Sequence, residues 1–134
     1  MPVPAEDLRR VTDALFDVVN DPNGTAYPAR DPSLDVAGKT GTAQTGYVAK
    51  KEEEPKLSSF LSQNHAWFSS FAPAHSPEVA VTVLVEHGGS GPEVAVPVAM
   101  QIVHEYERLQ AGRLGRPMSA KVPTVKAKGP GGKP

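Results

Sequence analysis

The sequence contains no cysteine, and this absence excludes disulfide scaffolds, thiolate nucleophiles and cysteine zinc sites together. It does not decide the redox compartment, so a periplasmic protein is allowed. No apolar run approaches the roughly 20 residues that a membrane-spanning helix needs. The N-terminus has neither the basic region nor the apolar region of a signal peptide. We therefore expect no exporting, anchoring or membrane-spanning segment in this chain.

Charge is unevenly distributed along the 134 residues. All 15 acidic residues and eight of the 14 lysines and arginines lie in residues 1–110, whereas residues 111–134 carry six basic residues and no acid. The end of the chain is also rich in proline, glycine and lysine, a composition that buries too little apolar surface to offset the entropy of ordering. We predict a folded segment over 1–112 and a disordered basic tail over 113–134. The tail could make a weak, salt-screened contact with an anionic polymer or lipid, and no nucleic acid is expected as a partner.

Two amphipathic helices frame the predicted fold. Over residues 5–20, apolar residues recur at three- and four-residue spacing, which predicts a helix that ends before Pro22. A second apolar stripe, from Val98 to Leu109, predicts a helix that ends near Gly112.

Three segments between these helices favour β-strands. Residues 34–45 are rich in β-favouring residues interrupted by glycine, and residues 50–64 are typical of a solvated loop with one helical turn. Residues 65–72 and 79–86 are joined by a short connection, which favours an antiparallel hairpin. Because both faces of 79–86 are apolar, we expect helices on both faces of the sheet. The predicted fold class is α/β, more narrowly α+β: an antiparallel sheet of three strands flanked by N-terminal and C-terminal helices.

The densest group of chemically useful side chains lies in residues 37–44, Ala-Gly-Lys-Thr-Gly-Thr-Ala-Gln. One interpretation is the phosphate loop of a nucleotide binder, because Gly38-Lys39-Thr40 matches the end of G-x-x-x-x-G-K-[ST]. The first glycine of that motif would have to stand at position 33, which is serine. The residues after Thr40 also do not favour the helix that faces the phosphate in such loops. The phosphate loop is therefore the remote alternative.

A second interpretation places Lys39-Thr40-Gly41 on an edge strand that lines an active site. Alternation along a strand puts Lys39 and Gly41 on one face and Thr40 and Thr42 on the other, unless the local twist turns them toward a shared cleft. Such a strand offers an ammonium group and hydroxyls to a substrate carboxylate, while a backbone N–H faces the oxygen that becomes negative in acyl transfer. Gly41 would let a substrate backbone approach closely. Lys-Thr-Gly is one of the three signatures of β-lactamases and penicillin-binding proteins.

The neighbouring motifs agree with this second interpretation in identity and order. They are Asn-Asp-Pro-Asn-Gly-Thr-Ala at 20–26, Val-Ala-Gly-Lys-Thr-Gly-Thr-Ala-Gln at 36–44, His-Ala-Trp-Phe-Ser-Ser-Phe-Ala-Pro at 65–73, a valine-rich strand, Glu-His-Gly-Gly-Ser-Gly at 86–91 and a last helix. In this order they closely resemble the C-terminal end of the transpeptidase domain of class B penicillin-binding proteins, most of all the elongation-type penicillin-binding protein 2. The resemblance spans about residues 5–110. It implies part of the penicillin-binding, β-lactamase-like fold.

The resemblance implies serine acyl transfer in peptidoglycan synthesis, at the periplasmic face of the inner membrane. Enzymes of this family attack the terminal D-alanyl-D-alanine of a stem peptide, release D-alanine and pass the acyl group to an amine on a neighbouring strand; penicillins acylate the same serine. By motif position, Lys39 would supply positive charge near the serine, the hydroxyls of Thr40 and Thr42 would hold the carboxylate of the stem peptide or β-lactam, and the Thr42 N–H would be one oxyanion donor. Gly41 and Gln44 complete the implied substrate-binding set. No cofactor or metal is expected, because the four histidines show no metal-binding spacing.

The nucleophile of the family is absent from these residues. It lies in a Ser-x-x-Lys motif, and no serine of this sequence is followed three residues later by lysine. Ser62-Gln63-Asn64 matches the second family signature, Ser-x-Asn, but it follows the Lys-Thr-Gly strand instead of preceding it, so we interpret it as coincidence. We therefore expect this chain alone to be inactive, as a C-terminal piece of a larger enzyme whose upstream half is missing. The alternative is a non-catalytic interaction module derived from that fold.

Overall fold

The computed structural model describes residues 3–48 and 54–114. Its helices and strands follow one another as α1 (Ala5–Asn20), β1 (Ala37–Ala43), α2 (Pro55–Leu61), β2 (His65–Ala72), β3 (Val79–Val85) and α3 (Val96–Leu114). The predicted α+β class, with three antiparallel strands between N-terminal and C-terminal helices, is confirmed. Helix α3 continues to Leu114, two residues into the predicted basic tail, and the rest of that tail lies outside the described residues. Within the described stretches, every helix falls short of the length or the apolarity that a membrane crossing requires.

Helix α1 begins and ends where local sequence signals place it. Glu6 and Asp7 lie in its first turn, where negative charge suits the helix dipole. The helix ends at Asn20 because Pro22 disfavours helical geometry at Asp21, whose ψ of 137° is extended. The predicted bounds of this helix are confirmed.

The three strands form one antiparallel sheet with β2 in the centre. In the pairing of β1 with β2, Lys39 lies opposite Ser69 and Gly41 lies opposite Trp67. β3 pairs with the other side of β2, which confirms the predicted hairpin. β1 is shorter than the strand predicted over 34–45 and covers seven residues. In the described residues, β1 and β3 are the two edges of the sheet.

One face of the sheet carries the hydrophobic core. Phe68, in the centre of β2, has no exposed surface and belongs to one buried cluster with residues of α1, α3 and β3. The other large side chains that are fully buried are Val19, Val36, Val96 and Val103. Because both long helices pack against this face, the residues of β3 alternate between buried and exposed along most of the strand.

The opposite face of the sheet is exposed in the described residues. Trp67 keeps 38% of its surface exposed and Leu84 keeps 45%. The prediction that helices cover both faces is therefore wrong for this part of the chain. The reason is that α1 and α3 contribute to the same buried cluster, while α2 contributes no buried residue.

Helix α3 starts directly against the backbone of the sheet. A five-residue π-helical turn, Gly91–Ala95, precedes it. A Cβ atom at position 91 would lie 2.5 Å from the carbonyl oxygen of Gly41 and 2.6 Å from that of Trp67. Glycine alone fits so close an approach, so the start of α3 fixes the position of β1 at Gly41.

Glu107 of α3 provides a pH-dependent test of how this helix packs. Burial raises the pKa of the Glu107 carboxyl; His104 opposes the shift, and three nearby carboxylates add to it. At pH values just above the ordinary pKa of glutamate, the Glu107 carboxyl is therefore protonated more often in the folded protein than in the unfolded chain. The free energy of unfolding consequently falls as the pH rises through that range. We expect Glu107→Gln to raise the free energy of unfolding at pH 7 by about 0.5 kcal/mol or less, because solvent screens a partly exposed carboxyl. The gain should vanish near about pH 3.5, where the carboxyl is protonated in both states.

Glu105→Gln is a control of opposite sign on the same helix. The hydrogen bond from Arg108 lowers the pKa of the Glu105 carboxyl, so removing the charge should lower stability at pH 7. Urea unfolding of both variants at the two pH values measures both effects. A gain for Glu107→Gln that is equal at both pH values would contradict this account of its environment.

Candidate active-site strand

Strand β1 carries the Lys-Thr-Gly sequence along an edge of the sheet. Residues opposite each other in an antiparallel pair share a face, so Lys39 lies on the exposed face with Ser69, and Thr40 lies on the core face with Phe68. The predicted alternation of these side chains is confirmed. On the side that β2 does not occupy, alternate backbone N–H and C=O groups of β1 point outward, which suits hydrogen bonding to an extended peptide.

The ammonium group of Lys39 is accessible. Its side chain is exposed, and Nζ donates a hydrogen bond to the carbonyl oxygen of Thr40 at 2.9 Å. The ion pairs of residues 3–48 and 54–114 do not include this lysine. A compact cation in this position can act on an anionic ligand at the strand edge.

The strand geometry contradicts the phosphate-loop interpretation. In a phosphate loop, the lysine and the threonine open a helix whose N-terminus faces the phosphate. Here the strand continues beyond Thr40 to Ala43, and the next helix in the described residues begins at Pro55. The alternative of a P-loop at residues 38–40 is therefore wrong.

Gly41 leaves the exposed face of β1 without a side chain next to Lys39. A Cβ atom at position 41 would lie 3.2 Å from the Cβ of Trp67, so a larger residue would press against that methylene group. Glycine removes this conflict and keeps the strand surface flat between Lys39 and Ala43. The flat stretch gives a ligand backbone room to approach.

The structure brings four of the five predicted site residues onto one strand. Lys39, Thr40, Gly41 and Thr42 lie within β1, whereas Gln44 follows the end of the strand. Thr42 and Gln44 are exposed. The roles of these residues in catalysis and substrate binding stay predictions.

Comparison with known proteins identifies the family of this chain. The family model of the penicillin binding protein transpeptidase domain matches residues 1–104. The chain belongs to the penicillin-binding protein transpeptidase family. The predicted resemblance to penicillin-binding protein 2 is confirmed by the relatives and the solved structure described next.

Those relatives are peptidoglycan D,D-transpeptidases. MrdA of Acinetobacter baumannii is 41% identical over 98 residues, which are 69% of this chain and 14% of that protein. MrdA of Haemophilus influenzae is 37% identical over 95 residues, again 69% of this chain and 14% of that protein. The crystal structure of Pseudomonas aeruginosa PBP2 in complex with WCK 5153 aligns with 79% of this chain and 21% of that chain, with a TM-score of 0.63 and 34% sequence identity. This chain thus spans 14% of the length of the two MrdA proteins.

Two contacts of this transpeptidase segment were missed by sequence reasoning. The side-chain amide of Asn20 donates hydrogen bonds to the carbonyl oxygens of Phe16 and Val36, both at 3.0 Å. The hydroxyl oxygens of Thr25 and Thr40 lie 2.8 Å apart. The bond from Asn20 to Val36 ties the end of α1 to the residue before β1, and the Thr25–Thr40 contact ties the following turn to β1 itself. Asn20 and Thr25 both lie in the Asn-Asp-Pro-Asn-Gly-Thr-Ala motif at 20–26, but the spacing within that motif predicts no role for either side chain.

His65 and His87 form a hydrogen bond near Ala43, the last residue of β1. The backbone N–H of His87 donates to Nδ1 of His65 at 3.0 Å. His65 lies opposite Ala43, the last residue of β1. This contact joins the loop after β3 to the β1–β2 pair, so the His65 imidazole has a structural role here, whereas His87 contributes its backbone N–H.

The arrangement of β1 suits a carboxylate ligand. Lys39 offers positive charge from the exposed face of β1, and Thr40 and Thr42 offer hydroxyl donors from the core face, so one ligand meets both only along the free edge of the strand. An ionised carboxylate only accepts hydrogen bonds. Charge-assisted hydrogen bonds of this kind are about twice as strong as neutral ones. Strand β1 therefore has groups that can bind an anion, whereas acyl transfer also needs a nucleophile.

Proposed function

We propose that the chain up to the end of α3 at Leu114 forms a C-terminal part of the catalytic domain of a peptidoglycan D,D-transpeptidase, followed by a basic tail. The serine nucleophile, in its Ser-x-x-Lys motif, comes from residues outside these 134. The observation that carries the proposal is the exposed ammonium of Lys39 on an edge strand that also bears the hydroxyls of Thr40 and Thr42.

In this function the strand binds the carboxylate end of the substrate. A stem peptide ends in a carboxylate, and penicillins carry a carboxylate as well. The hydroxyls of Thr40 and Thr42 donate to it, and Lys39 places positive charge beside it and near the serine. Gly41 and Gln44 lie along the peptide that leads to the carboxylate.

The same strand stabilises the charge that develops during acyl transfer. The serine oxygen attacks the carbonyl carbon of the penultimate D-alanine, and negative charge builds up on the carbonyl oxygen. The N–H of Thr42 and the N–H of the serine donate to this oxygen. The peptide bond breaks, D-alanine leaves with the proton that the serine gave up, and an amine of a neighbouring strand then takes the acyl group and restores the serine.

The upstream half of the catalytic domain is the partner that this function requires. The exposed sheet face around Trp67 and Leu84 supports this proposal, because it offers apolar surface for another part of a domain. The proposed place of action is the periplasmic face of the inner membrane, where the peptidoglycan substrate is found.

A hybrid enzyme tests the proposal. In it, the 134-residue chain replaces the matching segment of A. baumannii MrdA, so that the host supplies Ser-x-x-Lys. We expect a fluorescent penicillin to label the hybrid covalently, with unlabelled penicillin in excess blocking the label, and to leave the 134-residue chain unlabelled.

Two results would count against this proposal. Specific label on the chain alone would show that a nucleophile is present in it. A soluble, folded hybrid that takes no label would contradict a role of this strand in acyl transfer and would favour the non-catalytic interaction module.

A further inference from the structure

The hydroxyl of Thr40 contacts a side chain that lies outside the Lys-Thr-Gly strand. Its Oγ1 lies 2.8 Å from Oγ1 of Thr25, a residue of the connection between α1 and β1. This contact joins side chains 15 positions apart in the sequence. It lies at the surface, next to the edge along which the proposed substrate binds.

The backbone on either side of Thr25 is fixed. The N–H of Ala26 donates to the carbonyl oxygen of Val18 at 3.0 Å, and Ala26 has no exposed surface. A Cβ atom at Gly24 would lie 2.4 Å from the carbonyl oxygens of Asp17 and Val18, so the turn packs directly on the end of α1. The Thr25 hydroxyl is therefore presented to Thr40 from a rigid support.

The chemistry of a hydroxyl gives this contact a direction once a carboxylate is bound. Thr40 has a single O–H, and a carboxylate can only accept, so the O–H of Thr40 points to the carboxylate. Its oxygen is then free to accept, and the O–H of Thr25 is the donor that lies within reach. Hydrogen bonds in such a chain polarise one another, which strengthens the bond to the carboxylate.

We propose that Thr25 is a positioning residue of the transpeptidase site: it orients the hydroxyl of Thr40 toward the substrate carboxylate and completes its hydrogen bonding. This inference rests on the proposed function, because it needs Thr40 to bind a carboxylate. It adds a residue outside the Lys-Thr-Gly strand to the groups that determine how tightly the carboxylate end is held.

The test measures the second-order rate constant of acylation of the hybrid enzyme by penicillin. We expect Thr25→Val to lower it about fivefold, which is what the loss of a neutral hydrogen bond of about 1 kcal/mol corresponds to at 1.4 kcal/mol per factor of ten. Thr25→Ser keeps the hydroxyl and should restore the rate to within about twofold of the parent hybrid. Ser33→Ala is the matched control, because it removes another exposed hydroxyl from a side-chain hydrogen bond, Ser33 with Asp31 at 2.6 Å, outside the strands of the sheet, and should leave the rate unchanged.

A second substrate separates positioning from general support of the fold. Penicillin methyl ester lacks the ionised carboxylate, so we expect Thr25→Val to change its acylation rate by less than about twofold. Thermal unfolding of the hybrid is measured in parallel. Equal losses with penicillin and with its ester would show a merely structural role for Thr25 and overturn the proposal, as would a rate with penicillin that Thr25→Val leaves unchanged.

Failure of this inference is distinguishable from failure of the proposed function. If Lys39→Met lowers acylation and Thr25→Val does not, the strand binds the substrate and only the positioning role is wrong. If Lys39→Met leaves acylation unchanged, the proposed function itself is wrong and the role of Thr25 falls with it.

Discussion

Replacing Lys39 by methionine in the hybrid enzyme should lower the second-order rate constant of acylation by penicillin about 100-fold, equivalent to about 3 kcal/mol of transition-state stabilisation. Methionine keeps the unbranched stem but removes the ammonium group. In the structure this group is exposed at the strand edge and rests on the carbonyl oxygen of Thr40. The ammonium is therefore available to an anionic ligand, and its effect grows when the bound ligand excludes water from this edge. Stopped reactions at several penicillin concentrations, followed by fluorescence of the labelled band, give the rate constant.

Lys56→Met is the matched control for loss of one positive charge. Lys56 is exposed on α2, outside the candidate site. Its replacement should change the acylation rate by less than about twofold, because solvent and salt screen a distant surface charge. Equal losses for the two variants would mean that overall charge, and not the place of Lys39 on β1, sets the rate.

The second large effect concerns Phe68, the buried core residue that packs against β1. We expect Phe68→Ala to lower the free energy of unfolding of the 134-residue chain by about 3–5 kcal/mol, as for other fully buried phenylalanines. Phe68 has no exposed surface, and a Cβ atom at Gly38 would lie 2.7 Å from its ring, so β1 rests directly on it. A loss of this size is a large share of the roughly 5–15 kcal/mol that stabilises a typical domain. Urea unfolding followed by circular dichroism, together with resistance to protease, measures it.

Phe60→Ala provides the comparison for the same change of side chain. Phe60 lies on α2 and keeps 49% of its surface exposed. Its replacement should cost less than about 1 kcal/mol, since exposed substitutions away from special features have small effects. If Phe68→Ala were as mild as Phe60→Ala, the single core described for this fold would be wrong.

The elements of the fold were largely predictable because their signals are local. The helix that ends at Asn20 follows from apolar spacing and from Pro22, and the antiparallel hairpin follows from two β-favouring runs with a short connection. Which face of the sheet the helices cover was not predictable in this way. Both faces of β3 are apolar in sequence, but Leu84 is exposed in the described residues, because which face a helix covers depends on long-range packing.

Some features of the candidate site were likewise predictable from the sequence, and others were not. Alternation along a strand was enough to place Lys39 and Thr40 on opposite faces, and the register confirms it. The contact between Thr25 and Thr40 depends on how the turn after α1 folds back onto β1, and no periodicity reveals such a contact. The fit of Gly91 against Gly41 was missed for the same reason.

The most direct test of the central claim is the crystal structure of the hybrid enzyme acylated by penicillin. The measured quantity is the distance from the carboxylate oxygens of the bound penicillin to the hydroxyl oxygens of Thr40 and Thr42. We predict separations of about 2.5–3.0 Å, the range of O–H···O hydrogen bonds, with Nζ of Lys39 facing the same end of the site. A carboxylate held by other residues, with β1 making no contact to it, would contradict the account.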